Sequence, residues 1–440
     1  MKEMSRVQGK TKSEFQTTLD GRRTQEDWDF ARADTSYDTH GLHDYPARMI
    51  PQIAERLILR YSDFGQQILD PFCGSGTTVI EARLAARNSI GSDINPLAIL
   101  LAKVKSTPLD FEKMGFDASH FMNEIETKYN HAKNKNRLPD IPKEIMPNLN
   151  HWFKPEASGV LEFLYQEIKQ LDDEELKDFL LIVFSNTVFR SSNIDHRSSR
   201  FIRVLHEKEL KQFKPDVIGN FRRKLIDSVN RMAVFNRKVT DVNKLHNIKS
   251  KAVVKHCDAR ELPYRENEID CIITSPPYGE EKNTVGYARW SKLSVAWLRL
   301  NGEALSKSEK ESLGFKPSKN VKDDLEKLES PTTVKLLKNV FREDQQRVKD
   351  ALPFFFDYSK TLAEMFRVLK PNATCSIVVG DRSIRKRPLD MEKVTVELAT
   401  SVGFKHETSY FRQIPMKLIP WDTPTGKTIA RESIIILKKL

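Results

Sequence analysis

Two consecutive prolines, Pro276 and Pro277, close a short apolar run that starts at Ile269, and they restrict what this part of the chain can become. Each proline fixes its own φ and pushes the residue before it into extended geometry. Ser275-Pro276-Pro277-Tyr278 is therefore a stiff corner at the end of a buried strand. Neither proline has an N–H, so the carbonyl of Pro276 is a bare acceptor with no prolyl donor competing beside it. The hydroxyl of Ser275 is a second acceptor, the ring of Tyr278 is a flat apolar face, and Gly279 removes side-chain bulk where a ligand would approach. Two acceptors and a stacking ring suit a flat heterocycle that carries an exocyclic NH₂ group. Taken alone, the same residues also fit a proline-stiffened loop.

A second signal lies upstream, in Ile68-Leu69-Asp70-Pro71-Phe72-Cys73-Gly74-Ser75-Gly76-Thr77-Thr78. A strand closes on a carboxylate, a Gly-x-Gly turn follows, and an amphipathic run begins at Val79. Glycines let backbone pass close to a ligand, and a helix start presents free N–H groups. A short strand over Ser89 to Ser92 then ends in Asp93 and Ile94, and an acid after the second strand suits ribose hydroxyls. By itself the turn also fits a nucleotide or flavin binder. It lacks the six-residue dinucleotide spacing, and no lysine follows as in a P-loop.

Together the two stretches resemble the amino-group DNA methyltransferases that depend on S-adenosylmethionine. Asp70 to Gly76 is similar to that family's cofactor motif and Thr274 to Tyr278 to its catalytic motif, and the resemblance covers Gly41 to about Ser106 and Val253 to the C-terminus. The head of the catalytic tetrad is Ser275 rather than Asp or Asn, with Thr274 and Ile273 before it, a form that in the family goes mostly with cytosine-N4 enzymes. The resemblance implies an α/β fold, a doubly wound Rossmann-like methyltransferase sheet, and the amphipathic runs between its two halves read as a mostly helical inserted domain. It implies cofactor contacts at Tyr45, Asp70, Pro71, Phe72, Gly74, Ser75, Gly76, Thr77, Asp93, Ile94, Asp258 and Ala259, and catalytic roles for Ser275, Pro276, Pro277 and Tyr278. The order departs from the commonest cytosine-N4 arrangement, in which the catalytic motif comes first, so target recognition is assigned to one or both insertions.

The chain has 440 residues, of which 39% are hydrophobic and 30% charged, as in ordinary globular proteins. No apolar run approaches the ~20 residues that cross a bilayer, and the polar start lacks an apolar h-region. Four scattered cysteines, Cys73, Cys257, Cys271 and Cys375, show no metal-binding spacing and suggest a reduced, cytoplasmic protein without a metal; only Cys73 is expected near a ligand. The segment from Arg190 to His256 holds 17 Lys and Arg against six Asp and Glu, an excess equal to the net charge of the whole chain, +11. Such a segment suits a polyanion such as double-stranded DNA, with Arg222, Arg223 and Lys224 as a candidate cluster, or else forms a solvated basic face. The loop Asp381 to Arg387 adds Arg382, Arg385 and Lys386 at the expected ligand-binding edge of the sheet.

Read in order, residues 1–40 are expected to form a mobile arm, 41–106 the cofactor-binding half, 107–250 the inserted basic helical domain, and 251–440 the catalytic half with a second insertion at 280–353. Helices are expected over Ala157 to Leu171, Glu174 to Phe189, Tyr358 to Leu369 and Met391 to Val402, and strands over Ala252 to His256 and Thr374 to Val379. Tyr287, Trp290 and Trp297 follow the catalytic corner and are candidates either for base stacking or for a core.

The expected reaction is methylation of the N4 amine of a flipped-out cytosine in a restriction–modification setting, which admits a cognate restriction endonuclease as partner. Adenine-N6 DNA methylation and RNA base methylation share the fold, and a nucleic-acid-binding protein with an inactive core is the rival from another class. A C5-cytosine mechanism needs a cysteine after a proline, and no cysteine here follows one.

Overall fold

The computed structural model describes residues 27–46, 48–195, 204–280, 287–300, 310–414, 422–423, 426–427 and 431–440. Its centre is a seven-stranded sheet. The strands β1 (Gln67–Asp70), β2 (Asn88–Asp93), β3 (Ala252–His256), β4 (Ile269–Thr274) and β5 (Leu369–Gly380) are joined by Lys405–Gln413 and Arg431–Lys438. Across the sheet the order is β3-β2-β1-β4-β5, then Arg431–Lys438 and Lys405–Gln413. The first five strands run parallel, while Arg431–Lys438 is antiparallel to both its neighbours. The order turns back between β1 and β4, which is where a doubly wound sheet opens a crevice at its strand ends. Ile68 faces Cys271 and Leu69 faces Ile272 across that junction, so the two motifs read from the sequence leave the sheet side by side.

Apolar patterning accounts for the flanking helices. Helix α1 (Pro51–Tyr61) begins at a proline preset for the first turn and buries Ile53, Ala54, Leu57 and Ile58 on one face. Helix α2 (Thr77–Leu84) starts two residues before the apolar run, because Gly76 caps it in a left-handed conformation. Helix α3 (Pro96–Ser106) is capped by the Asn95 side chain, which accepts the Leu97 N–H at 3.0 Å.

Between α3 and β3 the chain is helical, with Ala118–Asn134, Pro155–Lys169, Glu174–Ser191 and the 30-residue Val217–His246 as its longest members. These helices share one apolar core with α3, in which Leu97 and Leu101 lie with Phe179, Phe184, Phe221 and Phe235. Trp297 is fully buried in that core against Phe153 and Phe184, so it packs and does not stack bases. The side chains of Tyr287 and Trp290 lie outside the described residues.

Two expectations are corrected. Residues 1–26 of the expected arm lie outside the described residues, but 27–40 are not an arm. Trp28 is buried under Arg56 and Tyr410, and Asp29 is held by Arg412 and by the Gln413 N–H. The helix expected from Tyr358 spans Gln345–Val368 and runs through Pro353. A proline cannot donate to the carbonyl four residues back. Here that carbonyl, on Lys349, accepts the Ser318 N–H at 2.9 Å instead, so the helix continues without an orphaned acceptor. Among the described residues no helix is long and apolar enough to cross a membrane.

Candidate active site

The corner forms where β4 ends. Thr274, fully buried, donates its hydroxyl to Asp70 at 2.6 Å and ties the end of β4 to the end of β1. Ser275 follows, its Oγ 3.2 Å from the Tyr278 hydroxyl, so the first and last members of the tetrad meet. The Tyr278 hydroxyl in turn donates to Glu432 at 3.1 Å. Gly279 has a use beyond the one expected. A Cβ there would lie 2.0 Å from Nη1 of Arg382, so the missing side chain admits a guanidinium of this protein. Arg382 is correspondingly buried and pairs with Glu280 at 2.7 Å, and Arg347 closes on the other Glu280 oxygen at 2.5 Å. Burial opposes the charge on Glu280, yet the two arginines outweigh it and hold the carboxyl below its ordinary value.

One cavity adjoins this corner. Ser275, Pro277 and Gly279 line it on one side, and Tyr45, Asp70, Pro71, Phe72, Gly74, Ser75, Thr77, Asp93, Ile94, Asp258 and Ala259 on the others. Of the expected cofactor residues only Gly76 is absent from the wall, and its glycine is needed elsewhere. Gly76 has φ +91°, and a Cβ would fall 2.9 Å from the backbone of Ala102 in α3. Pro276 and Tyr278 are not among the lining residues, although they flank Pro277, which is. Residues not anticipated from the sequence also face in: Met49, Asn95, Cys257 and the segment Glu311 to Leu313, the last from the second insertion. Cys257 thus joins Cys73 beside the cavity.

Three carboxylates set the character of this space. Asp70 is buried and its carboxyl is pushed up to about 6, because desolvation exceeds the help from Thr274, Thr78 and the Phe72 N–H. Asp93 is also raised by burial, against the backbone N–H groups it accepts. Those bonds come from Gly74 at 2.9 Å and Asn95 at 2.8 Å, so Asp93 fastens the glycine turn to the end of β2. Asp258 is gripped by Arg260 through both oxygens, and Arg260 also holds Asp357 and the carbonyl of Glu311. Asp70 and Asp93, held above the ordinary carboxyl value, favour a cation beside them.

The wall on the Tyr45 side is fixed by basic residues, two of which, Lys224 and Lys238, belong to the segment expected to meet DNA. The 3₁₀ turn Asp38–Leu42 precedes Tyr45, and Lys224 donates to the Gly41 carbonyl at 2.8 Å. Lys238 pairs with Asp38 at 2.8 Å, and fully buried Lys105 donates to the carbonyls of His40 and His43. Lys224 also pairs with Asp227, and Arg222 with Glu126 at 2.5 Å. Lys224 and Arg382 are therefore spent inside the protein. Arg223 stays largely exposed, as do Arg385 and Lys386, with Arg223 3.5 Å from Asp216 and Arg385 3.2 Å from Asp344.

The N6/N4 methyltransferase family model, described as a DNA methylase, matches residues 2–104. The chain is similar to the Type II methyltransferase M.MvaI of Kocuria varians, with 30% identity over 430 residues and 93% of each chain covered. It is also similar to the Type II methyltransferase M.MjaII of Methanocaldococcus jannaschii, with 26% identity over 331 residues, 57% of this chain and 62% of the relative. A SAM-dependent methyltransferase structure from Methanosarcina mazei aligns with 13% identity over 90% of this chain and 99% of that one, at a TM-score of 0.31, too loose to bear on function.

Proposed function

The chain belongs to the amino-group DNA methyltransferases, and from that premise we propose that it methylates the exocyclic N4 of a flipped-out cytosine in double-stranded DNA. The observation that supports this reading is that Ser275 lines the carboxylate-lined cavity, with its Oγ 3.2 Å from the Tyr278 hydroxyl. The cavity suits S-adenosylmethionine in its chemistry. Asp70 and Asp93 favour positive charge, Phe72, Ile94 and Leu313 offer apolar surface for a purine, and Asp93 and Asp258 offer acceptors. When bound, that group supplies a methyl on a positively charged sulfur.

The protein's own task is to align the amine. The lone pair of an exocyclic amine is delocalised into its ring, so the nitrogen is a weak nucleophile. Ser275 Oγ and the Pro276 carbonyl, accepting one N–H each, would turn the lone pair toward the methyl donor. Proximity and alignment supply much of the acceleration. Extruding the base costs a few kcal/mol, and stacking on Tyr278 offsets part of it. Serine at the head of the tetrad favours cytosine. The Type II relatives suggest a cognate restriction endonuclease as partner.

Nucleoside mass spectrometry of DNA treated with the protein and S-adenosylmethionine tests the reading. N4-methylcytosine is expected. N6-methyladenine alone would overturn the choice of base, and 5-methylcytosine would overturn the mechanism.

Arg223, Arg385 and Lys386 are the proposed phosphate contacts, since their side chains reach solvent. Replacing all three with Gln is expected to make the slope of log K against log salt shallower by about 2–3. An unchanged slope in equilibrium titrations would remove them from the DNA face.

A further inference from the structure

Behind the corner runs a chain of polar groups whose far members, Glu432 and Arg412, lie outside the family motifs. Ser275 Oγ lies 3.2 Å from the Tyr278 oxygen, which lies 3.1 Å from Oε1 of Glu432. Oε2 of Glu432 accepts from Arg412 at 2.6 Å. Arg412 and Glu432 are directly opposed on the antiparallel strands Lys405–Gln413 and Arg431–Lys438, and their side chains are only 11% and 16% exposed. Arg412 is itself anchored, by the carbonyl of Asp29 at 3.3 Å.

We propose that Glu432 is a positioning residue that sets the direction of the hydrogen bond between Ser275 and Tyr278, and so makes Ser275 a pure acceptor toward the target amine. The inference rests on the amino-methyltransferase reading above. An ionised carboxylate can only accept, and this one is ion-paired with Arg412 at 2.6 Å. The phenol has one proton, and Glu432 takes it. The phenol oxygen then turns a lone pair toward Ser275, and the serine proton fills it. Both serine lone pairs are left for an incoming N–H.

The opposite direction would be harmful. With the phenol proton pointing at Ser275, the serine hydroxyl is free to donate to the amine nitrogen. That bond would occupy the electrons that must attack the methyl group. Glu432 thus acts through Tyr278 without touching the substrate.

Glu432→Gln tests this in the full chain. Arg412 would hold the amide oxygen, leaving the amide NH₂ facing Tyr278, so the chain of bonds reverses. The single-turnover methylation rate is expected to fall at least tenfold, while calorimetric affinity for S-adenosylmethionine stays within twofold of wild type. In a Tyr278→Phe background there is no phenol to turn, and E432Q should then change the rate less than threefold. A rate loss of the same size in both backgrounds would make Glu432 a structural residue and overturn the proposal. So would an E432Q rate equal to that of the wild type. A wild-type chain that methylates no exocyclic amine overturns instead the reading on which the proposal rests.

Discussion

Ser275→Ala is expected to lower the methylation rate about tenfold to a hundredfold while leaving S-adenosylmethionine affinity unchanged. Positive charge develops on the amine nitrogen as it gains a methyl group, so the bond from its N–H to Ser275 strengthens along the reaction. Hydrogen bonds to charged groups contribute about 1.5–3 kcal/mol, and 1.36 kcal/mol is tenfold in rate. The loss stops there because the second acceptor, the Pro276 carbonyl, is backbone and survives any side-chain change. The cofactor side of the cavity survives too, since Thr274 and not Ser275 holds Asp70. Ser275→Asn, which keeps an acceptor oxygen, should recover part of the rate. Burst kinetics with radiolabelled methyl donor would measure both variants. A Ser275→Ala burst rate equal to wild type would remove the serine from the chemistry.

Much of this site was legible because its two halves are short in sequence. Asp70 and Ser275 each end a run of buried aliphatic residues, and each is followed by turn residues that cannot continue a strand. The parallel sheet then places adjacent strand ends together without further information. What the sequence hid depends on partners distant in the chain. Nothing near Gly76 announces that Ala102 will press on it. Lys224 reads as a solvent cation until Gly41 and Asp227 are seen to hold it. Arg382 reads as a loop cation until buried Glu280 claims it. Helix Gln345–Val368 is expected only from Tyr358, because the donor that accommodates Pro353, the Ser318 N–H, comes from another segment. Glu432 lies 154 positions from Tyr278, and its only local signal is a carboxylate at the start of an aliphatic strand. Composition counts charges, but direction and pairing are properties of the packed chain.

The cavity also predicts a trade between stability and binding at Asp70. Burial holds the Asp70 carboxyl at about 6 in the folded chain, against 3.8 for an ordinary aspartate. Below pH 4 the carboxyl is protonated whether folded or not, and it has no effect on stability. Between pH 4 and pH 6 the unfolded chain gives up this proton while the folded chain keeps it, so stability falls as the pH rises. Above pH 6 the loss is complete, at about 3 kcal/mol for a shift of roughly two units. Asp70→Asn keeps an oxygen for Thr274 and the Phe72 N–H but never ionises. Without cofactor it should therefore melt several degrees above wild type at pH 7.5, less whatever its unpaired amide protons cost, and the two should converge near pH 4. The order reverses when S-adenosylmethionine is added, because a cationic ligand beside Asp70 recovers the cost of the charge in the wild type alone. Thermal melts from pH 4 to 8, with and without S-adenosylmethionine, check both halves. Parallel pH curves would show that Asp70 ionises normally in the fold. Equal stabilisation of both chains by S-adenosylmethionine would show that the cation does not sit against this carboxylate.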